Sequence, residues 1–287
     1  MFERQTSGSV VCTSCGTLVG VQDASCYNCG RRNPGLWGYA PLVRRLGQDL
    51  GFVPLVLTTC VALYVVSLLL SGRSIRVAGG LSFLSPSLEA LFLLGASGAL
   101  PVFRFDRWWT VLSAAWLHGG LLHILFNMLW VRQLAPAVAE IYGPGRLVIL
   151  YTVSGASGFI VSTVAGEALA SMPIALLRGG QFTVGASAPI FGLLGALVYY
   201  GRRSGSSMAH REALGYAFML GIFGLLFPGI DNYAHAGGFA GGYLVGRFLD
   251  PLQPERIDHL ALALGCLVVS ALAIVASVVH GIGLFMP

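Results

Sequence analysis

The sequence has little charge. Only 10% of its 287 residues are charged, and it contains no lysine, so all 17 of its Lys/Arg positions are arginine. Hydrophobic residues make up 55% of the chain, and the mean hydropathy is +0.76. This composition is too apolar for a soluble globular protein. The net charge of +5 is modest, and it gives no indication of a nucleic-acid-binding surface.

The first forty residues also lack an apolar core of the kind that signal peptides contain, so no cleavable signal peptide is predicted. Farther along, seven apolar stretches approach the roughly 20 residues that a transmembrane helix needs. The fifth of them is short and ends at Pro228. The pattern predicts an all-α polytopic membrane protein with spans at 52–70, 121–141, 146–166, 186–201, 213–228, 234–249 and 260–280.

The positions of the arginines predict the orientation of these spans. On the side of the N-terminus they flank the first span and the short turns, at Arg31, Arg32, Arg44, Arg45, Arg132, Arg146, Arg202, Arg203, Arg211, Arg247 and Arg256. The opposite side carries Arg73, Arg76, Arg104 and Arg107, all in one long loop, and Arg178. Because short loops with excess positive charge stay in the cytoplasm, we expect a multi-pass cell (inner) membrane protein with a cytoplasmic N-terminus.

Four of the six cysteines form two C-x-x-C-G units near the N-terminus, at Cys12, Cys15, Cys26 and Cys29. Four thiolates are the number and type of ligand that tetrahedral zinc prefers. Two disulfides are the alternative, but the predicted cytoplasmic location argues against them, because thiols stay reduced there. We therefore expect a structural zinc ion. The role of this module is left open between a cytoplasmic protein partner, dimer contacts and stabilisation of the N-terminus.

Three groups of polar residues lie at the starts of spans two, four and six, where polar groups are costly and point to function. Span two opens with His118, His123 and Asn127, span four with Ser187, and span six with His235. His123 and Asn127 are four residues apart and share one helix face, whereas His118 lies at the helix entrance. In a serpentine chain, even-numbered spans all begin on the same side, so these side chains are expected to converge just below the outer surface.

Small residues provide for close contact between spans four and six. Span six carries Gly238, Gly242 and Gly246 at intervals of four, and span four carries Ala188, Gly192 and Ala196 at the same interval. Membrane helices associate by packing, and such faces let their backbones approach closely. These residues would serve packing alone in a structural interpretation. The catalytic interpretation adds a serine hydroxyl held beside an imidazole across this seam.

At these residues the chain resembles the rhomboid family of intramembrane serine proteases. The match consists of H-x4-H-x3-N in span two, G-x-S from Gly185 in span four, and A-H-x-G-G-x3-G in span six, in that order. Trp108-Trp109 resembles the aromatic-rich first loop of the family. The resemblance covers residues 52–250, and span seven is similar to the extra C-terminal helix of the longer rhomboids.

The resemblance implies a Ser187–His235 dyad with no carboxylate third member. It also implies an oxyanion pocket formed by the His123 ring, the Asn127 side chain and the Ser187 backbone amide, with His118 bracing the first loop. Catalysis would need no cofactor. The expected substrates are single-span membrane proteins whose helix unwinds easily near its top.

Two positions depart from the usual family pattern. Ala188 replaces the glycine that commonly follows the serine, and Phe191 replaces the tyrosine that commonly packs on the dyad histidine. Neither change removes a reacting group, so we expect an active enzyme. Substrates are expected to enter beside span five, past Phe218, Phe223 and Phe227.

Other functions are less consistent with the sequence. A metalloprotease based on His118 and His123 lacks an H-E-x-x-H motif and any acidic residue nearby in span two. The main alternative is a catalytically inactive rhomboid-like scaffold or quality-control adaptor. The remaining histidines, at 210, 259 and 280, are interpreted as structural.

The chain is accordingly divided into four parts. Residues 1–33 form a zinc ribbon, and residues 34–51, which contain several prolines and glycines, form a linker. Residues 52–250 form a six-helix protease core. Residues 251–287 contain one additional transmembrane helix.

Overall fold

The computed structural model describes residues 4–13, 15–41, 47–77, 79, 83–174, 177–227 and 229–285. Three positions used in the sequence-based predictions, Arg44, Arg45 and Pro228, lie outside these residues. The chain is mainly helical, as its composition predicted. Together with the membrane spans described below, this confirms the prediction of an all-α polytopic membrane protein.

The N-terminal part is a small module built around two antiparallel strands. Strand β1 (Ser9–Val11) pairs with β2 (Leu18–Gly20), and Val10 lies opposite Val19. The two valines are buried together with Cys12 and Cys26. A core of this size is too small to hold the fold without further stabilisation.

In the described part of the chain, nine α-helices follow, seven of which are long. Two of the connections also contain 3-10 turns, at Gly72–Ser74 and Ala114–Trp116, and a π-helical turn covers Leu100–Arg104. The helices are α1 (Phe52–Ser71), α2 (Leu88–Leu94), α3 (Thr110–Ser113), α4 (Leu121–Tyr142), α5 (Pro144–Ala168), α6 (Ser187–Ser204), α7 (Ser207–Leu226), α8 (Asn232–Phe248) and α9 (Ile257–Phe285).

The seven long helices match the seven predicted stretches, with the largest shift at the fifth. Helix α7 begins at Ser207, whereas the apolar pattern placed its start at residue 213. The Ser206 side chain caps the helix by accepting a hydrogen bond from the Ala209 amide at 3.3 Å. Because the first turns of α7 are polar, the apolar pattern did not show that the helix begins here. His210 and Arg211 therefore lie within α7, whereas the apolar pattern left them before the fifth span.

Among the described residues, four helices are long and apolar enough to cross a membrane by length and composition. They are α1, α4, α5 and α9. Helices α6, α7 and α8 are shorter or more polar, so a count of seven spans stays a prediction. Helix α6 is nevertheless the most enclosed part of the bundle, and Leu193 and Leu194 at its middle are completely buried.

Helix α6 lies among α4, α5, α7 and α8, and it packs most extensively on α8. Helix α9 lies on the outside, against α5 and the short helices α2 and α3. Helix α7 is loosely held, because only Ala213 and Gly224 are buried along its described length. The N-terminal ends of α4, α6 and α8 line one cavity, which α7 also lines.

Candidate active site

Ser187 is the first residue of α6 and is half-buried. The preceding backbone is held by a hydrogen bond from the Gly185 amide to the Ala114 carbonyl, at 2.9 Å. Gly185 has a φ of +136°, which favours glycine, and a Cβ at this position would lie 2.7 Å from His123 Nε2. Glycine at 185 thus allows the serine turn and the His123 ring to lie next to each other.

His235 lies in the first turn of α8 and is 9% exposed. Asp231 caps this helix: its carboxylate accepts from the Ala234 amide at 2.9 Å, and its carbonyl accepts from the His235 amide at 3.1 Å. The Phe191 ring stacks on the imidazole, with centroids 4.2 Å apart and planes at 15°. A helix cap and an aromatic stack therefore fix the position of His235.

Helices α6 and α8 are in backbone contact along the line of small residues seen in the sequence. A Cβ at Gly238 would lie 3.2 Å from the Cα of Ala188, and one at Gly242 would lie 2.5 Å from the Cα of Gly192. Larger side chains at these two glycines would push the helices apart. The seam brings Ser187 and His235 to the same level of the bundle.

His123 and Asn127 lie one turn apart on α4. The Gly119 amide donates to His123 Nδ1 at 3.3 Å. Because Nδ1 accepts, the proton of the neutral ring lies on Nε2, which is therefore a donor. Asn127 is buried, and one of its amide hydrogens is donated to the His123 carbonyl at 2.9 Å. Its second amide hydrogen is not engaged by that bond.

His118 lies in the loop before α4 and is 1% exposed. Its ring packs edge-on against the His123 ring, with centroids 5.3 Å apart. Burial, with a smaller contribution from His123, lowers the pKa of His118 well below its ordinary value, so the ring is neutral. This ring contact is consistent with a residue that holds the His123 ring in position.

One cavity of about 910 Å³ joins the predicted catalytic residues. It is lined by Ser187, His235, His123, Asn127 and Phe191. The other predicted site residues, His118, Gly185, Gly238 and Gly242, do not line it. Among the described residues no hydrogen bond links Ser187 to His235. Catalytic hydrogen bonds are often long in the absence of substrate and tighten when it binds.

Only part of the predicted access route lines the cavity. Phe223 and Phe227 line it, and their rings lie 4.2 Å apart. Phe223 also faces Phe126 of α4, at 6.3 Å. Phe218 is 72% exposed and does not line the cavity, so the structure gives no support to its place on the route. It is five residues before Phe223 and therefore points to another face of the helix.

The sequence-based prediction gave no role to a polar cluster beside His235. The Asp231 carboxylate also accepts from the Ser162 hydroxyl of α5, and Ser162 accepts from the Gly180 amide at 3.1 Å. An aspartate before an apolar helix is a cap signal that could have identified Asp231. The contact with Ser162, 69 residues away, has no such signal.

The four N-terminal cysteines form a compact cluster, with all four Sγ atoms within 4.8 Å of one another. Two of the Sγ–Sγ distances are 3.6 Å (Cys15–Cys26) and 3.8 Å (Cys12–Cys29). These are too long for the ~2.05 Å bond of a disulfide. Four thiolates around a zinc ion at ~2.3 Å stand about 3.8 Å apart in a tetrahedron, so the cluster fits zinc.

A family profile described as "Rhomboid domain" matches residues 106–251. The chain is 34% identical to RHOMBOID-like protein 4 of Arabidopsis thaliana over 174 residues, which cover 58% of this chain and 40% of the relative. It is 31% identical to Rhomboid protease GluP of Bacillus subtilis over 168 residues, which cover 58% of this chain and 30% of the relative.

A third relative, RHOMBOID-like protein 5 of Arabidopsis thaliana, is 32% identical over 191 residues. The match covers 62% of this chain and 58% of that protein. The chain thus spans less than two thirds of the length of each of these relatives.

Proposed function

Because the chain belongs to the rhomboid family, we propose that it is an intramembrane serine endopeptidase with Ser187 as nucleophile and His235 as general base. The observation that carries this proposal is the cavity that joins Ser187, His235, His123 and Asn127. These four residues come from three helices and lie up to 112 positions apart in the sequence. All four are polar groups in a mainly apolar bundle, where such groups point to function.

In this proposal, the Ser187 hydroxyl attacks the carbonyl carbon of a peptide bond while His235 accepts its proton. A serine hydroxyl is a weak nucleophile until a neighbouring base takes that proton. The C–O bond that forms gives a tetrahedral intermediate. His235 then donates the proton to the leaving amine as the C–N bond breaks, which leaves an acyl-enzyme. Water, activated by the same histidine, hydrolyses the ester and restores the serine.

The oxyanion of the intermediate would be stabilised by three donors. His123 offers its Nε2–H, since its Nδ1 already accepts from Gly119. Asn127 offers the second hydrogen of its amide. The Ser187 backbone amide lies at the N-terminus of α6, where amides have no partner within the helix and the dipole favours negative charge. Preorganised donors of this kind are a large part of hydrolase catalysis.

The proposed substrates are single-span membrane proteins that reach the cavity from the bilayer between α4 and α7. Two features support this route. Phe126 and Phe223 face each other across it, and α7 is the long helix with the least buried surface along its described length. Separating these helices would cost little packing, because lipid can replace the contacts that are lost.

The proposed location is the cell (inner) membrane, with the N-terminus in the cytoplasm and the cavity open to the outer side. The arginine distribution supports this orientation. The cysteine module would then hold a structural zinc ion through Cys12, Cys15, Cys26 and Cys29. It would lie on the opposite membrane face from Ser187, which excludes the metal from the peptide-bond chemistry. Three roles stay open for this module, namely binding of a cytoplasmic protein partner, dimer contacts and stabilisation of the N-terminus.

A fluorophosphonate probe tests the nucleophile without knowledge of the substrate. The purified protein in detergent is expected to react with the probe, and Ser187→Ala is expected to abolish the labelling. His235→Ala should reduce it as strongly, because the base is lost. Absent labelling of the wild type would support the inactive scaffold. Labelling that persists in Ser187→Ala would place the nucleophile elsewhere.

A further inference from the structure

The long C-terminal helix α9 is fastened to the loop that joins α1 to α4. Arg107 of this loop is completely buried. Its Nη1 donates to the Phe92 carbonyl at 2.6 Å, and its Nη2 donates to the Ser277 carbonyl of α9 at 2.8 Å. The guanidinium also lies 4.1 Å from the centre of the Phe92 ring. Burial lowers the pKa of Arg107 to about 10, which leaves it charged at neutral pH.

A second contact joins the same two elements. The Trp109 indole donates from Nε1 to Ser277 Oγ at 3.0 Å, and its ring packs edge-on against His280 at 5.5 Å. The loop backbone also touches α9, because a Cβ at Gly95 would lie only 2.6 Å from Ser277 Oγ. Ser277 therefore contacts the loop through both its backbone carbonyl and its side-chain hydroxyl.

The loop between α1 and α4 also forms backbone hydrogen bonds with residues 180–185, which precede Ser187. Ser97 and Thr183 exchange two backbone hydrogen bonds, of 3.0 and 2.8 Å, four residues before Ser187. Three more backbone hydrogen bonds of 2.9–3.1 Å join Ala99 to Gly180, Leu100 to Gln181, and Gly185 to Ala114. The backbone before Ser187 is thus attached to the loop like an added strand.

Buried hydroxyl groups connect the α9 contact with this strand-like pairing. The Thr110 hydroxyl of α3 donates to the Arg107 carbonyl at 2.7 Å and lies 3.3 Å from Ser97 Oγ, and Ser113 donates to the Gly95 carbonyl at 2.7 Å. Both donors are completely buried. A continuous set of short contacts therefore runs from Ser277, through the loop, to the residues just before Ser187.

We propose that α9 positions the nucleophile, and that Ser277 and Trp109 are positioning residues for catalysis. This inference rests on the proposed serine protease function and deepens it, since it assigns the seventh long helix a part in the same site. Neither residue lines the cavity, so neither is expected to touch substrate. They act by holding the loop that holds the 180–185 segment.

Helix α9 offers a matched pair of serines for the test. Ser270 and Ser277 are both buried, and each hydroxyl donates to the carbonyl four residues before it at 2.8 Å. Only Ser277 also accepts from Trp109. Ser270→Ala is therefore a control for loss of a buried hydroxyl in the same helix. Trp109→Phe removes the indole donor from the other side.

We expect Ser277→Ala to lower kcat for a membrane substrate roughly three- to tenfold, the range that corresponds to one hydrogen bond. KM should change little, and Ser270→Ala should retain wild-type kinetics. Trp109→Phe combined with Ser277→Ala should cost less than the sum of the two single changes, because they remove the same bond. Hydrogen–deuterium exchange should increase at residues 180–186 in Ser277→Ala and stay unchanged in Ser270→Ala.

Equal kinetics and equal exchange in the two serine variants would overturn the proposal. So would a loss of activity in Ser277→Ala accompanied by faster exchange throughout the helices, since that result indicates general destabilisation. An inert wild-type protein would instead contradict the proposed function. The exchange measurement needs no activity, and it would still decide whether α9 holds the 180–186 segment.

Discussion

The Phe191 ring lies flat on the imidazole of His235, with centroids 4.2 Å apart and planes 15° from parallel. The side chain comes from α6, one turn after Ser187, and the imidazole comes from α8. The stack therefore links the helix of the proposed nucleophile to the ring of the proposed base. A flat aromatic face limits the rotation of the imidazole and leaves its edge available to the serine.

Replacing Phe191 by leucine should lower kcat about three- to tenfold, since an aromatic stack contributes roughly 0.5–1.5 kcal/mol. Phe191→Tyr keeps the ring and should stay close to the wild type. The measurement is the cleavage rate of a membrane substrate by the purified variants, with thermal unfolding in detergent as a check of folding. If Phe191→Leu cleaves as fast as Phe191→Tyr, the stack does not position His235.

Asn127 tests the proposed oxyanion pocket. Asn127→Ala should lower kcat about 10²–10³-fold, the loss seen when one oxyanion donor is removed from a hydrolase. KM should change little, because the donor acts on charge that develops only in the transition state. Steady-state kinetics on a single-span substrate separate the two constants. An increase in KM with unchanged kcat would instead assign Asn127 to substrate binding.

Phe223 and Phe218 lie on the same helix and differ in direction, so they test the access route between α4 and α7. Phe223→Ala removes the contact with Phe126 and should speed the cleavage of a membrane-embedded substrate severalfold. Phe218→Ala, at a 72% exposed position, should leave the rate unchanged. The comparison is made in proteoliposomes. Equal rates for both variants and the wild type would place the route elsewhere.

The cysteine module should carry one zinc ion per chain, measured by elemental analysis of the purified protein. Cys15→Ser should lose the metal, because three thiolates bind zinc more weakly than four. Cys60→Ser, which changes a buried thiol outside the cluster, should keep it. Cleavage by the chelated protein should continue, because the proposed topology separates the module from Ser187. The absence of zinc from the wild-type protein, or its retention in Cys15→Ser, would contradict the proposed zinc site.

The fold was largely readable from the sequence because hydrophobic length determines membrane helices directly. The exception is instructive. Helix α7 begins with Ser206 as a cap and a polar first turn, so its start at Ser207 does not appear in an apolar pattern. The hydropathy of a segment shows which part of a helix can face lipid, whereas a capping residue shows where the helix begins.

The candidate site was predictable where spacing within a helix decides the geometry. The interval of four residues between His123 and Asn127 predicted that both lie on one helix face. The small residues at 188, 192, 238 and 242 predicted the close approach of α6 to α8. Contacts between distant segments were not predictable. The bonds from Ser162 to Asp231 and from Trp109 to Ser277 join residues 69 and 168 positions apart, with no local pattern at either end.

The most direct test of the account is proteolysis in a reconstituted membrane. Wild-type and Ser187→Ala proteins are incorporated into liposomes with a panel of single-span substrates, and the products are identified by mass spectrometry. We predict that the wild type cleaves at least one substrate within or next to its membrane segment and that Ser187→Ala cleaves none. Cleavage at the same bond by the Ser187→Ala protein would contradict the central claim.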